Sequence, residues 1–220
     1  MVTYETIRKD KTVNTYIRKA DEALAGLGYT EHSFPHVTRV AETARYILRE
    51  LGHSEHTVDL AGIAAYMHDI GNLVNRVAHS QSGAIMAFRI LDHMDMDPED
   101  ISTVVTAIGN HDEGTGVPLN AVAAALILAD KCDVIRSRVR NDIISDFDIH
   151  DRVNYSVTEA KLTLSEDKKI LHLTLAVDTK YSSIMDYFEI FLERMNLCRK
   201  AAAKLGTAFK LTINGQTLSG

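Results

Sequence analysis

Little in this chain points to secretion, to a membrane or to nucleic acid. There are two cysteines, Cys132 and Cys198, and neither lies in a CxxC pattern. That argues against a zinc or disulfide framework and fits reduced thiols in or near a core. The N-terminus, MVTYETIRKDK, has no apolar stretch of the kind a signal peptide needs. The longest uninterrupted apolar run, Ala121–Ala129, is too short to span a bilayer. Positive charge is also scarce. Lysine and arginine number 24 against 30 aspartates and glutamates, so the net charge of −6 excludes a broadly basic nucleic-acid surface. No repeat and no low-complexity linker is visible. A cytoplasmic protein without membrane contact and without bulk nucleic-acid binding is expected.

What is present is core. With 220 residues and 45% hydrophobic content, the chain can bury a sizeable interior. Up to about residue 150 the apolar spacing is helical. An amphipathic segment over 12–27 ends at Gly26–Gly28. A second helix starts near Ser33, a candidate N-cap, with Pro35 in its first turn, and stops at Gly52. A third starts near Ser54, with Gly71 as its stop signal. Further helices are expected over 80–94, from Pro98 to about His111, and from Asn120. Beyond residue 151 the pattern changes. Residues 155–164 and 170–177 alternate as a hairpin around the turn Glu166–Lys169. Ser183 and Asp186 form a capping box for a long amphipathic helix, and Ala208–Ile213 reads as one more strand. The fold class is therefore mainly α. A helical bundle of five to six helices over 1–150 carries a small C-terminal α+β (ββαβ) extension over 151–220, packed on it.

Within the helical part lie His36, His68–Asp69, His79, His111 and Asp130. His68–Asp69 and Asp130 end apolar, Ala-rich stretches. A carboxylate placed there needs a partner, because an unpaired buried charge is costly. Imidazole and carboxylate together suit divalent metals. His-Asp occurs three times, also at 111–112 and 150–151, but only His68–Asp69 ends an apolar helix with candidate ligands on both sides. His36, His68, Asp69 and Asp130 would hold one ion. Asp69 would bridge to a second, held by His79 and His111 at helix ends with a polar loop after each. Two such ions would leave room for water and for a phosphoryl group.

The order His36, His68–Asp69, Asp130 resembles the HD-domain superfamily of metal-dependent phosphohydrolases. The strings HVTRVAETA, AAYMHDIGN and LADKCDVI carry the likeness over about residues 30–140. His79 and His111 resemble the variant of that superfamily that goes with two metals, often iron. The Gly-Tyr-Pro extension of its cyclic di-GMP enzymes is absent, since Pro118 is the last proline. The resemblance implies an HD-domain bundle and cleavage of a phosphomonoester or phosphoanhydride, in a nucleotide, by a metal-activated hydroxide. It implies Asp69 and Lys131 as catalytic residues and two divalent ions per chain, with iron first and manganese, nickel, cobalt or zinc as alternatives. The same variant includes diiron oxygenases, so that chemistry is the alternative. A non-catalytic metal-stabilised binding or sensor module is a third reading.

Lys131, Arg136, Arg138 and Arg140 follow Asp130 closely. They read as phosphate-binding, with Arg39 as a further candidate, or as charges complementing a helix C-terminus. Asn72 reads as a residue that orients a ligand or caps the helix end. Asp112 and Glu113 read as solvated loop charges. His32, His53, His56, His93, His150 and His172 read as ordinary surface residues. The hairpin and long helix offer a surface for a homodimer.

Overall fold

A computed structural model describes residues 2–141 and 143–219. Eight α-helices precede the sheet among the described residues: α1 (Tyr4–Lys9), α2 (Lys11–Gly26), α3 (Phe34–Glu50), α4 (Glu55–Met67), α5 (His79–His93), α6 (Pro98–Gly109), α7 (Ala121–Lys131) and α8 (Ile149–Ser156). They are followed by β1 (Val157–Leu164), β2 (Ile170–Val177), α9 (Ile184–Lys204), β3 (Ala208–Ile213) and β4 (Gln216–Ser219). The mainly helical bundle with a C-terminal α+β part is thus present.

The additions to the expected elements are short ones. α1 and α8 have six and eight residues, too few turns for a periodic pattern to register. Strand β4 pairs antiparallel with β3. The turn between them is Asn214–Gly215, both at positive φ, the residue pair that a tight hairpin turn demands. β1 and β2 form the expected antiparallel hairpin, although β1 begins at Val157, after the last turn of α8. β2 and β3 run parallel, and α9 makes the crossover between them.

The caps follow the sequence in most places. Ser54, Asp97 and Asn120 accept backbone N–H groups at the starts of α4, α6 and α7, and Ser183 with Asp186 closes the capping box of α9. Ser33 occupies the N-cap position of α3 but makes no cap bond. Its hydroxyl donates to Glu31 Oε1 at 2.6 Å instead.

α7 is the centre of the molecule. Every residue from Val122 to Lys131 is buried, because α3, α4 and α6 pack against it and α9 covers another side. Ala123, Ala124 and Ala125 keep the axes close. The apolar stripe of α9, including Phe191, Met195 and Cys198, joins the same continuous set of buried side chains as Val40, Ile63 and Leu126. The C-terminal part therefore shares the core of the helical part. Both cysteines are buried within it. No helix among the described residues is long and apolar enough to cross a membrane.

Candidate metal centre

The six side chains singled out by their spacing meet in one place. His36 enters from the first turn of α3, His68 caps the end of α4, and Asp69 is the next residue. His111 lies just beyond α6, and Asp130 in the last turn of α7. His79 is the first residue of α5, with the polar loop before it and not after it. Ala78, in the left-handed conformation at φ 57°, turns the chain into that helix. All six are buried.

Each imidazole has one nitrogen spoken for. His68 Nδ1 lies 2.7 Å from Ala65 O, His111 Nδ1 2.7 Å from Ile108 O, and His79 Nδ1 3.1 Å from Arg76 O. His36 Nδ1 lies 2.7 Å from Asp133 Oδ2. These oxygens can only accept, so Nδ1 carries the proton in all four rings. The four Nε2 atoms then face inward. His36 Nε2 and His68 Nε2 are buried without a hydrogen-bond partner. His79 Nε2 and His111 Nε2 face each other at 3.2 Å, and two lone pairs that close repel unless a cation lies with them. Imidazoles oriented by a carbonyl or carboxylate on the far nitrogen are the arrangement metal sites use. The donor set fits a divalent metal.

Asp69 divides the cluster. Its Oδ2 lies 3.1 Å from His68 Nε2 and 3.6 Å from His36 Nε2, while its Oδ1 lies 3.5 Å from His79 Nε2 and 4.0 Å from His111 Nε2. Asp130 Oδ1 is 3.5 Å from His36 Nε2 and 3.7 Å from His68 Nε2. Two groups have the spacing to hold an ion, His36–His68–Asp130 and His68–Asp69–His111. Asn72 both orients and caps: its amide donates to Asp69 Oδ1 at 2.9 Å and to Asp69 O at 3.0 Å.

The electrostatics follow from packing carboxylates and imidazoles without water. Burial works against a charged His68, but Asp69 and Asp130 outweigh it and hold its pKa up at about 10. Burial opposes ionisation of Asp69 and Asp130 as well. His68 beside the first and Lys131 beside the second nonetheless keep both well below the usual carboxylate range. Burial, with His68, Lys131 and His79 nearby, drives His111 down to about 3. Burial likewise lowers His79.

A cavity of about 860 Å³ opens over this cluster, large enough for a nucleotide-sized ligand. Lys131 lines it, with Nζ 2.7 Å from Asp130 Oδ2. Three of the other basic candidates are placed elsewhere. Arg39 is held by Asp133 through two hydrogen bonds of 2.9 and 3.1 Å. Arg136 donates to Tyr155 O and stacks on the Tyr155 ring, and Arg140 pairs with Asp21. None of these three lines the cavity.

Several lining residues carried no usable sequence signal. Arg76 donates to Asn72 Oδ1 at 3.3 Å, lies 3.4 Å from His79 Nε2, and has no carboxylate partner among the described residues. Arg138, by contrast, is one of the basic candidates read from the sequence and does line the cavity, but it is tied to Asp133 O at 2.7 Å. Glu113 is not a solvated loop charge: it is largely buried between Lys131 and Arg194. His32 is half-buried and lines the cavity, with its ring 5.4 Å from that of His36, whereas His150 is exposed, as expected of a surface residue, and lines the same cavity. Asp133 orients His36 from 97 residues away. It lies one turn beyond Asp130, which was the one available clue.

Residues 34–135 match the family model of the HD domain. The uncharacterized protein MJ1020 of Methanocaldococcus jannaschii is 25% identical over 225 residues, covering 86% of this chain and 86% of that protein. A crystal structure of a predicted HD superfamily hydrolase from an uncultured Thermotogales bacterium aligns with a TM-score of 0.46 at 26% identity, over 57% of this chain and 68% of that one.

Proposed function

The chain is an HD-domain protein, and from that premise we propose that it is a metal-dependent phosphohydrolase acting on a phosphomonoester or phosphoanhydride of a nucleotide. The observation that carries this reading is the pair of buried nitrogens without a hydrogen-bond partner, His36 Nε2 and His68 Nε2, beside Asp69 and Asp130, which line a cavity together with His79, His111, Arg76 and Lys131. When bound, divalent ions would neutralise charge on the phosphoryl oxygens and activate water. His36, His68, Asp69 and Asp130 would hold the first, and Asp69 Oδ1 with His79 and His111 the second. The protein's own part is to hold the ligands still, through Ala65 O, Ile108 O, Arg76 O, Asp133 and Asn72. Lys131 brings an ammonium to the same edge of Asp130. Arg76 brings a guanidinium that no carboxylate neutralises, in the planar form that suits a phosphate.

Phosphate release from a panel of nucleotides, with metal content measured on the same sample, tests this reading. Release of phosphate at two metals per chain supports it. Oxygen uptake by the iron-loaded, reduced protein without phosphate release would replace it with the oxygenase reading.

Arg76→Ala is expected to raise KM about 10- to 100-fold, the scale of one hydrogen bond to a charged group. Arg140→Ala, away from the cavity, should leave KM unchanged. Steady-state kinetics of the two variants checks this.

Metal binding should also release protons. His68 is held protonated up to about pH 10 in the metal-free protein and must lose that proton to coordinate. Metal affinity should therefore rise with pH between 6 and 9. Calorimetry in buffers of different ionisation enthalpy would read the released proton directly, and a pH-independent affinity would contradict it.

A further inference from the structure

The match to the HD domain ends at residue 135, yet α9, well beyond it, also lines the cavity. Arg194, on α9, lines the cavity and lies over the Phe191 ring with its guanidinium carbon 4.3 Å from the ring centre. Its Nε donates to Glu113 Oε1 at 2.7 Å. The other oxygen of Glu113 lies 3.4 Å from Lys131 Nζ, and Lys131 Nζ lies 2.7 Å from Asp130 Oδ2. A line of alternating charges thus runs from the C-terminal helix to a candidate metal ligand.

We propose that Arg194 is a positioning residue of the site: through Glu113 it fixes Lys131 against Asp130 and ties down the loop that follows His111. This rests on the phosphohydrolase reading for the role of Lys131.

Glu113 sits in the connection between α6 and α7, two residues after His111. Side-chain anchoring matters there, because a connection without it is free to sample other conformations. α9 touches the same connection a second time. A Cβ built on Gly116 would lie 3.0 Å from Leu197 Cδ2, so the loop lies directly on the helix. Glu113 shares its charge between two cations. Without Arg194 the whole carboxylate charge would act on Lys131 and compete with Asp130 for the ammonium. Without both Arg194 and Glu113 that competition disappears. The arrangement therefore makes an unusual demand: the double variant must be less impaired than Arg194→Ala alone.

The test uses inorganic phosphate as the probe and the full chain loaded with manganese. Calorimetric phosphate affinity is measured for the wild type, Arg194→Ala, Arg194→Lys and Arg194→Ala/Glu113→Ala. Hydrogen exchange of residues 112–117 is followed on the same samples. Arg194→Ala should weaken phosphate binding about tenfold at unchanged metal content, the scale of coupling between contacting charged groups. Exchange of 112–117 should quicken. Arg194→Lys should recover most of the affinity, and the double variant should bind more tightly than Arg194→Ala. Wild-type affinity in Arg194→Ala, or a double variant weaker than Arg194→Ala, overturns the proposal. If the wild type binds no phosphate, it is the phosphohydrolase reading that fails. The loop exchange then decides the clamp, and unchanged exchange in Arg194→Ala overturns it too.

Discussion

His68→Ala will leave the purified protein without its metal and with turnover reduced more than about a thousandfold. Among the described residues His68 belongs to both groups of side chains that have the spacing to hold an ion; its loss takes a ligand from the proposed first ion and a neighbour from Asp69, which would bridge to the second. Nothing nearby can take its place, because its Nε2 is buried and is oriented by the bond from Nδ1 to Ala65 O. The deletion also takes one partner from each of two buried carboxylates. Asp69 Oδ2 and Asp130 Oδ1 lie 3.1 and 3.7 Å from that nitrogen, and removing one partner of a buried charge cluster costs about 3–5 kcal/mol. The metal-free variant should therefore also melt earlier than the metal-free wild type. Elemental analysis, phosphate release and a melting curve on one preparation check all three consequences. Retained metal with wild-type turnover would remove His68 from the site.

Gly71→Ala should be nearly as damaging, although glycine 71 touches no metal ligand with a side chain. The added Cβ would lie 1.9 Å from His79 O and 2.4 Å from Gly83 N. Both are backbone atoms at the start of α5, so no side-chain rotation can relieve the clash. The turn after Asp69 and the helix carrying His79 would have to separate. A loss of about 3 kcal/mol or more is expected, at the upper end of what overpacking costs. Metal affinity should fall with it, since the displaced helix carries one ligand and the displaced turn follows another. Gly62→Ala is the contrast. Its Cβ would meet Arg45 Cδ and the Tyr4 ring at 2.8 and 2.9 Å, which are side-chain atoms, and the side chain of Arg45 can move. Denaturant titration of the two variants would compare the costs. Equal and small losses would show that the turn and α5 are not held at contact.

Gly71 also shows what the one-dimensional pattern can and cannot carry. In sequence it reads as a helix stop. In space α4 has already ended at Met67, and the glycine is required by the approach of α5. The candidate ligand positions were legible because each sits at a helix end, and His68–Asp69 and Asp130 also end an apolar run, where a polar group has to have a purpose. Long helices were legible because several turns of apolar spacing repeat. α1 and α8 were not, having too few turns, and β4 was missed although Asn214–Gly215 gave a turn signal for it.

The residues that support the ligands form the other class. His36 and Asp133 are 97 residues apart, and Glu113 and Arg194 are 81 apart. No local period connects such pairs, so Glu113 reads as a solvated charge and Arg194 as one more polar position on an amphipathic helix. Arg39, Arg136 and Arg140 show the converse. They are close in sequence to candidate ligands, yet each is held by another partner and none of the three lines the cavity.

By itself, then, the sequence determined a mainly helical bundle with a small sheet appended, and the ligand types at the ends of buried helices. Those features follow from local periodicity and from the cost of burying a polar group, and both act along the chain. Only the tertiary structure decided which cations reach the cavity, which nitrogen of each imidazole faces inward, and that the C-terminal helix contributes Arg194. Those depend on which distant segments come into contact, and packing, not spacing, sets that.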